Sequence, residues 1–149
     1  MRNIYMERAL ELAKVAYDAG EIPVGAVVVR KSDGMIIGEG YNKREKEGSP
    51  TAHAEIEAIN AAAVIVGDWR LYGCDLYVTL EPCPMCSGAI INSRLDAVYF
   101  GAFDRNMGAV CSVEEMFRLP YGHKPEIYAG IMEDECSGIL GKFFAEIRK

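Results

Sequence analysis

The sequence predicts an α/β fold of three layers, α-β-α, with one mixed five-stranded sheet in the middle. Three observations carry that expectation. In the second half of the chain, short β-branched runs alternate with segments of helical length, which calls for right-handed crossovers and parallel strands. The first two extended runs are separated only by residues 30–34, in which Ser32-Asp33-Gly34 is a turn that makes them an antiparallel hairpin. The chain has 149 residues, half of them apolar and 26% charged, which suits one domain (residues 1–149) with a core of its own.

The elements follow in order. Residues 4–19 read as a helix, because Met6, Ala9, Leu10, Ala13 and Tyr17 share a stripe opposite Glu7, Arg8, Glu11 and Lys14. Asn3 caps its start and Gly20 ends it. Residues 24–29 and 35–41 are strands. Gly25, Gly38 and Gly40 within them mark bulges or places where another backbone comes close. Residues 42–50 are polar and lie outside any element. Residues 51–66 form an Ala- and Ile-rich helix ended by Gly67. A strand at 75–80, a helix at 83–93 and a strand at 96–102 come next, each apolar enough to be buried. After a loop at 103–109 come a short helix at 113–118, a strand at 126–129 and a closing helix at 134–149. Trp69, Tyr77, Tyr99 and Phe100 read as core or near-core aromatics.

Composition limits the function. The longest apolar stretch, residues 58–66, is too short to cross a bilayer and contains Asn60. The N-terminal residues mix charge with apolar side chains and lack the apolar run of a secretory signal, so the expected location is cytoplasmic. Sixteen Lys and Arg against 22 Asp and Glu give a net charge of −6. A protein that coats duplex nucleic acid should be basic, so any nucleic-acid contact here has to be local and shape-driven. Five cysteines, at 74, 83, 86, 111 and 136, are an odd number, which reads as reduced thiols and not as a disulfide scaffold. Cys74, Cys111 and Cys136 read as small hydrophobes.

Two short segments carry chemistry: Thr51-Ala-His53-Ala-Glu55 and Glu81-Pro82-Cys83-Pro84-Met85-Cys86, each opening a predicted helix. One imidazole and two thiolates are the ligand types that favour zinc. Three protein ligands leave one tetrahedral position open, the catalytic pattern, whereas a structural site closes with a fourth ligand. Both cysteines are expected in a helix's first turn, where free N–H groups favour thiolate. Glu55, two residues after His53, would lie about 200° round an ideal helix from it, so the two meet only at a site just off the helix start. A carboxylate there complements zinc, whose Lewis acidity thiolates weaken, by taking and returning protons. Taken singly, each residue has a plain structural explanation: a cap, a dipole partner, a redox pair or half of a structural zinc site. The combination of His-x-Glu with Pro-Cys-x-x-Cys is the pattern of zinc-dependent nucleobase deaminases.

At these residues the chain resembles the cytidine deaminase-like superfamily and, within it, the bacterial tRNA-specific adenosine deaminases. The resemblance runs over nearly the whole chain. It is carried by Thr51-Ala-His-Ala-Glu-Ile, by Leu76-Tyr-Val-Thr-Leu-Glu-Pro-Cys-Pro-Met-Cys-Ser-Gly-Ala-Ile, by Phe100-Gly-Ala, and by Asp134-Glu-Cys through Phe143-Phe144. It implies hydrolytic deamination of adenosine to inosine at the wobble position of a tRNA anticodon, by zinc-activated water. It implies one Zn(2+) per subunit on His53, Cys83 and Cys86, with Glu55 shuttling protons. It further implies that Asn42 bonds the flipped base, Ala54 and Pro82 line its pocket, Asp104 contacts the nucleotide, and Phe143 and Arg148 sit near the anticodon loop. The implied assembly is a homodimer that binds tRNA and no membrane. The chain departs from the family's Asp-x-Lys-x-Gly-Ala at residues 104–109, where Asn106 replaces the Lys and Arg105 stands beside it.

Two alternatives keep the same residues. One is a zinc-dependent deaminase of a free base or nucleoside, of the guanine or cytosine type. The other is a non-catalytic zinc-stabilised binding module, which Cys111 or His123 would close as a fourth ligand.

Overall fold

The computed structural model describes residues 2–147. Its elements are α1 (Ile4–Asp18), β1 (Gly25–Arg30), β2 (Met35–Tyr41), α2 (Arg44–Glu47), α3 (Ala54–Val66), β3 (Cys74–Leu80), α4 (Pro84–Asn92), β4 (Ala97–Ala102), β5 (Glu126–Ala129) and α5 (Glu133–Ile147), with a 3-10 turn at Met116–Arg118. The five strands form one sheet in the order β2-β1-β3-β4-β5. β1 runs antiparallel to both β2 and β3, while β3, β4 and β5 are parallel. This is the mixed sheet that the hairpin and the later alternation predict.

Strand alternation builds the layers. Ala26 and Val28 of β1 face the same side as Leu76, Val78, Val98 and Phe100, under Ala54, Ala58 and Ile59 of α3 and Ile90 of α4. Val27, Val29 and Tyr77 face the other side, against Met6, Ala9 and Leu12 of α1 and Cys136 of α5. Asn3 caps α1 by accepting from the N–H groups of Tyr5 and Met6.

The strand glycines let helices rest directly on the sheet. A Cβ on Gly25 would lie 2.0 Å from the Ala9 carbonyl oxygen, and one on Gly40 would lie 2.3 Å from that of Ala54. The hairpin register slips between Val28 and Val29, beside Gly38, so both readings of these glycines apply. Gly40 matters for function, since it sets how closely the start of α3 approaches the sheet.

Some expectations change. Residues 42–50 contain the one-turn helix α2. The buried carboxylate of Glu21 accepts from the N–H groups of Glu45 (3.1 Å) and Lys46 (2.7 Å), which otherwise lack partners at a helix start. Trp69 is 53% exposed and not in the core, because α3 ends at left-handed Gly67 and turns the chain outward. The Arg70 and Arg94 guanidinium groups cover its ring. Cys111 is exposed as well, and so is no core hydrophobe. His123 is half-buried and donates to the Leu95 carbonyl (2.6 Å).

Candidate active site

A pocket of about 460 Å³ opens where α3 and α4 begin. Of the residues expected at a site, Asn42, His53, Ala54, Glu55, Cys83 and Asp104 line it. Arg44 lines it too, as do Ile22, Leu80, Glu81, Met85 and Met107, and none of these last five was assigned to a pocket by the sequence.

Both helix starts shape the floor. α3 begins at Ala54, so His53 is its N-cap in extended conformation and Glu55 stands in the first turn. The angle of an ideal helix therefore does not separate them, since His53 precedes the helix. α4 begins at Pro84, a residue suited to a first helical position, which leaves Cys83 as N-cap and only Cys86 in the first turn. The expectation that both cysteines lie in that turn is corrected by one residue.

Three ligand atoms converge. His53 Nδ1 lies 3.7 Å from Cys83 Sγ and 3.5 Å from Cys86 Sγ. All three atoms fall within 4.8 Å of one another, and they form the one such group found among the described residues. Zinc bonds of about 2.0–2.1 Å to nitrogen and about 2.3 Å to sulfur, at a tetrahedral angle, place the nitrogen about 3.5–3.6 Å from each sulfur. The spacing and the donor types fit zinc. A hydrogen bond from the Cys86 thiol holds Cys83 as a thiolate, at about 4, and the same bond pushes Cys86 up. Glu55 is 4% exposed, and burial raises its carboxyl to about 7.

The remaining expected residues are placed as follows. Asn42 is buried, donates from Nδ2 to the Ile22 carbonyl (3.2 Å) and accepts at Oδ1 from the Arg44 N–H (3.2 Å). Its amide is thereby oriented, with one N–H left over. Asp104 Oδ1 accepts from the N–H groups of Asn106 and Met107, folding its own loop. Pro82, expected to line the base pocket, is buried and is not among the residues lining it, and its carbonyl accepts from Ala109 N–H (2.9 Å). Phe143 is buried against Tyr17 and Phe144, with ring centroids 5.7 and 5.6 Å away, and is not among the residues lining the pocket. Arg148 lies outside the described residues.

Sequence reasoning quoted Glu81 in a motif but gave it no role. Its side chain is buried at 2% exposure. It accepts from the N–H groups of Asp104, Val110, Cys111 and Ser112 and from the Ser112 hydroxyl. Burial works to raise its carboxyl, but the hydrogen bonds from Ser112, Cys111 and Asp104 outweigh it and hold the group below the ordinary glutamate value. The available signal was a charged residue closing an otherwise buried strand, next to Pro-Cys.

Comparison with known proteins identifies the family. Residues 2–102 match the cytidine and deoxycytidylate deaminase zinc-binding region, so the chain is a deaminase of that zinc-binding class. The chain is 45% identical over 148 residues to the tRNA-specific adenosine deaminase of Bacillus subtilis (strain 168), a match covering 99% of this chain and 91% of that protein. It therefore belongs to the family of tRNA-specific adenosine deaminases. A structure from a study of A-to-I editing by tRNA:A34 deaminases at the wobble position of transfer RNA superposes with a TM-score of 0.89 at 44% identity, covering 93% of this chain and all of the other. A guanine deaminase from Nitrosomonas europaea shares the fold, with a TM-score of 0.83 at 24% identity over 95% of this chain and 83% of its own.

Proposed function

We propose that the chain is a single deaminase domain that converts adenosine to inosine at the wobble position of a tRNA anticodon, with His53, Cys83 and Cys86 holding one zinc ion per subunit. The observation that carries this reading is the convergence of one imidazole and two sulfurs on a three-ligand site with buried Glu55 beside it. Zinc, when bound, supplies the Lewis acidity that makes a water a competent nucleophile at neutral pH. Glu55 takes a proton from the attacking water, delivers one to N1 of the adenine, and assists departure of the C6 amino group as ammonia. Adenosine and water are consumed, and inosine and ammonia leave.

Asn42 has one N–H free to bond the base, and Ala54 presents only a methyl group to it. Pro82 backs the cysteine turn, and Asp104 faces the nucleotide from the opposite wall. In this reading Phe143 and Arg148 serve the anticodon loop. Extruding a base costs a few kcal/mol and costs least in a loop that is already open. A chain of net charge −6 suits such a target better than a duplex. The reading includes a homodimer acting in the cytoplasm. Among the described residues no helix is long and apolar enough to cross a membrane.

The test is a substrate panel: an anticodon stem-loop, adenine, adenosine, guanine and cytidine, each with and without a zinc chelator. Inosine in the stem-loop that disappears on chelation is expected. Turnover of a free base or nucleoside without turnover of the RNA would overturn the substrate.

A further inference from the structure

Residues 103–112 form one wall of the pocket, with Asp104 and Met107 lining it. This wall has no helix or strand of its own, so its backbone N–H groups need partners from elsewhere. One side chain supplies four of them. Glu81 Oε1 accepts from Asp104 N–H (3.1 Å) and the Ser112 hydroxyl. Glu81 Oε2 accepts from the N–H groups of Val110 (3.2 Å), Cys111 (2.7 Å) and Ser112 (2.9 Å). The wall closes so tightly on this carboxylate that a Cβ on Gly108 would lie 2.4 Å from Glu81 Cδ. Glu81 stands two residues before Cys83, and Ala109 N–H bonds the Pro82 carbonyl between them. The wall is thus tied to the turn that presents a metal-ligand residue.

We propose that Glu81 is a positioning residue, whose carboxylate fixes the distance between the 103–112 wall and the floor and so sets how tightly substrate is held. The floor has anchors of its own. Glu55, Ala58 and Cys86 are packed into the helices and the core beneath them. Losing the Glu81 carboxylate therefore moves the wall and leaves the reacting groups in place. Glutamine at 81 fills the same space, but whichever way its amide turns it aims N–H bonds at N–H donors.

The kinetic arm of the test rests on the deaminase reading; a second arm does not. Glu81→Gln and Ser112→Ala are made in the full chain and loaded with zinc. For Glu81→Gln, KM for the anticodon stem-loop is expected to rise about tenfold or more while kcat stays within about threefold and zinc content is unchanged. Ser112→Ala moves KM the same way, but less. Independently of any activity, hydrogen exchange at the amides of 104 and 110–112 is expected to quicken in Glu81→Gln while that of α4 does not. A folded Glu81→Gln with unchanged KM, or one in which kcat falls and KM does not move, overturns the proposal. If Glu81→Gln does not fold, Ser112→Ala decides by the same criteria. If the unsubstituted chain leaves the RNA untouched, the deaminase reading fails and the exchange arm alone decides. Unchanged exchange at those amides then overturns the positioning role.

Discussion

The floor and the wall of the pocket are built on different principles. The floor consists of two helix starts, at His53 and Cys83, each anchored by buried residues one or two turns further in. The wall is irregular chain in which one buried carboxylate takes four backbone N–H groups, at both ends of the segment. Chemistry therefore sits on the part of the molecule held by many small contacts, and substrate fit on the part held by one strong cluster. Damage to the floor should cost reaction, damage to the wall should cost affinity, and changes at the far end of the sheet should cost neither.

The largest effect is expected from the floor. Cys86→Ala removes one of three ligands and should abolish both zinc binding and deamination, as metal analysis beside an inosine assay would show. Zinc retained at full stoichiometry would mean that the metal is held elsewhere. A smaller, mixed effect is expected at Gly40, where an added methyl meets the Ala54 carbonyl at 2.3 Å and Glu57 Cβ at 2.7 Å. Gly40→Ala should lower stability by about 1–3 kcal/mol in thermal unfolding and reduce kcat, because it lifts the start of α3. Stability lost with kcat intact would separate the seat of α3 from the chemistry.

The smallest effect on activity is expected at Asp75, at the opposite end of β3. Its Oδ1 is buried without a hydrogen-bond partner, and Lys31 Nζ stands 3.8 Å away, closer to Asp96. Burial raises the Asp75 carboxyl above the usual aspartate range. A raised carboxyl favours the protonated native state, so its contribution is full at low pH and is lost as pH rises through the raised value. Asp75→Asn should therefore stabilise the protein at pH 7 by about 1 kcal/mol, a gain that shrinks on acidification, with kcat unaffected. Destabilisation at pH 7 would show that the Lys31 contact outweighs burial.

The contrast between floor and wall also explains what could be read in the sequence. His53, Glu55, Cys83 and Cys86 were legible because ligand chemistry restricts residue type and spacing at once. The sheet was legible because β-branched runs and the Ser32-Asp33-Gly34 turn act over a few neighbouring residues. The role of Glu81 was not, since its partners lie 23 to 31 positions away and all but the Ser112 hydroxyl are backbone groups, which leave no mark on composition. Trp69 was misassigned to the core for a related reason: an aromatic beyond a helix-ending glycine can turn inward or outward, and two guanidinium groups gave it an outward partner. The one-turn helix α2 depends on Glu21, more than twenty residues earlier, and was hidden in the same way.

The most direct measurement compares the unsubstituted chain with Glu55→Gln at equal zinc content, scoring inosine in an anticodon stem-loop. The account predicts that the metal stays on its three ligands while inosine formation falls by at least about a hundredfold, the scale of a lost proton shuttle. A zinc-loaded Glu55→Gln chain that still makes inosine at an undiminished rate would contradict it.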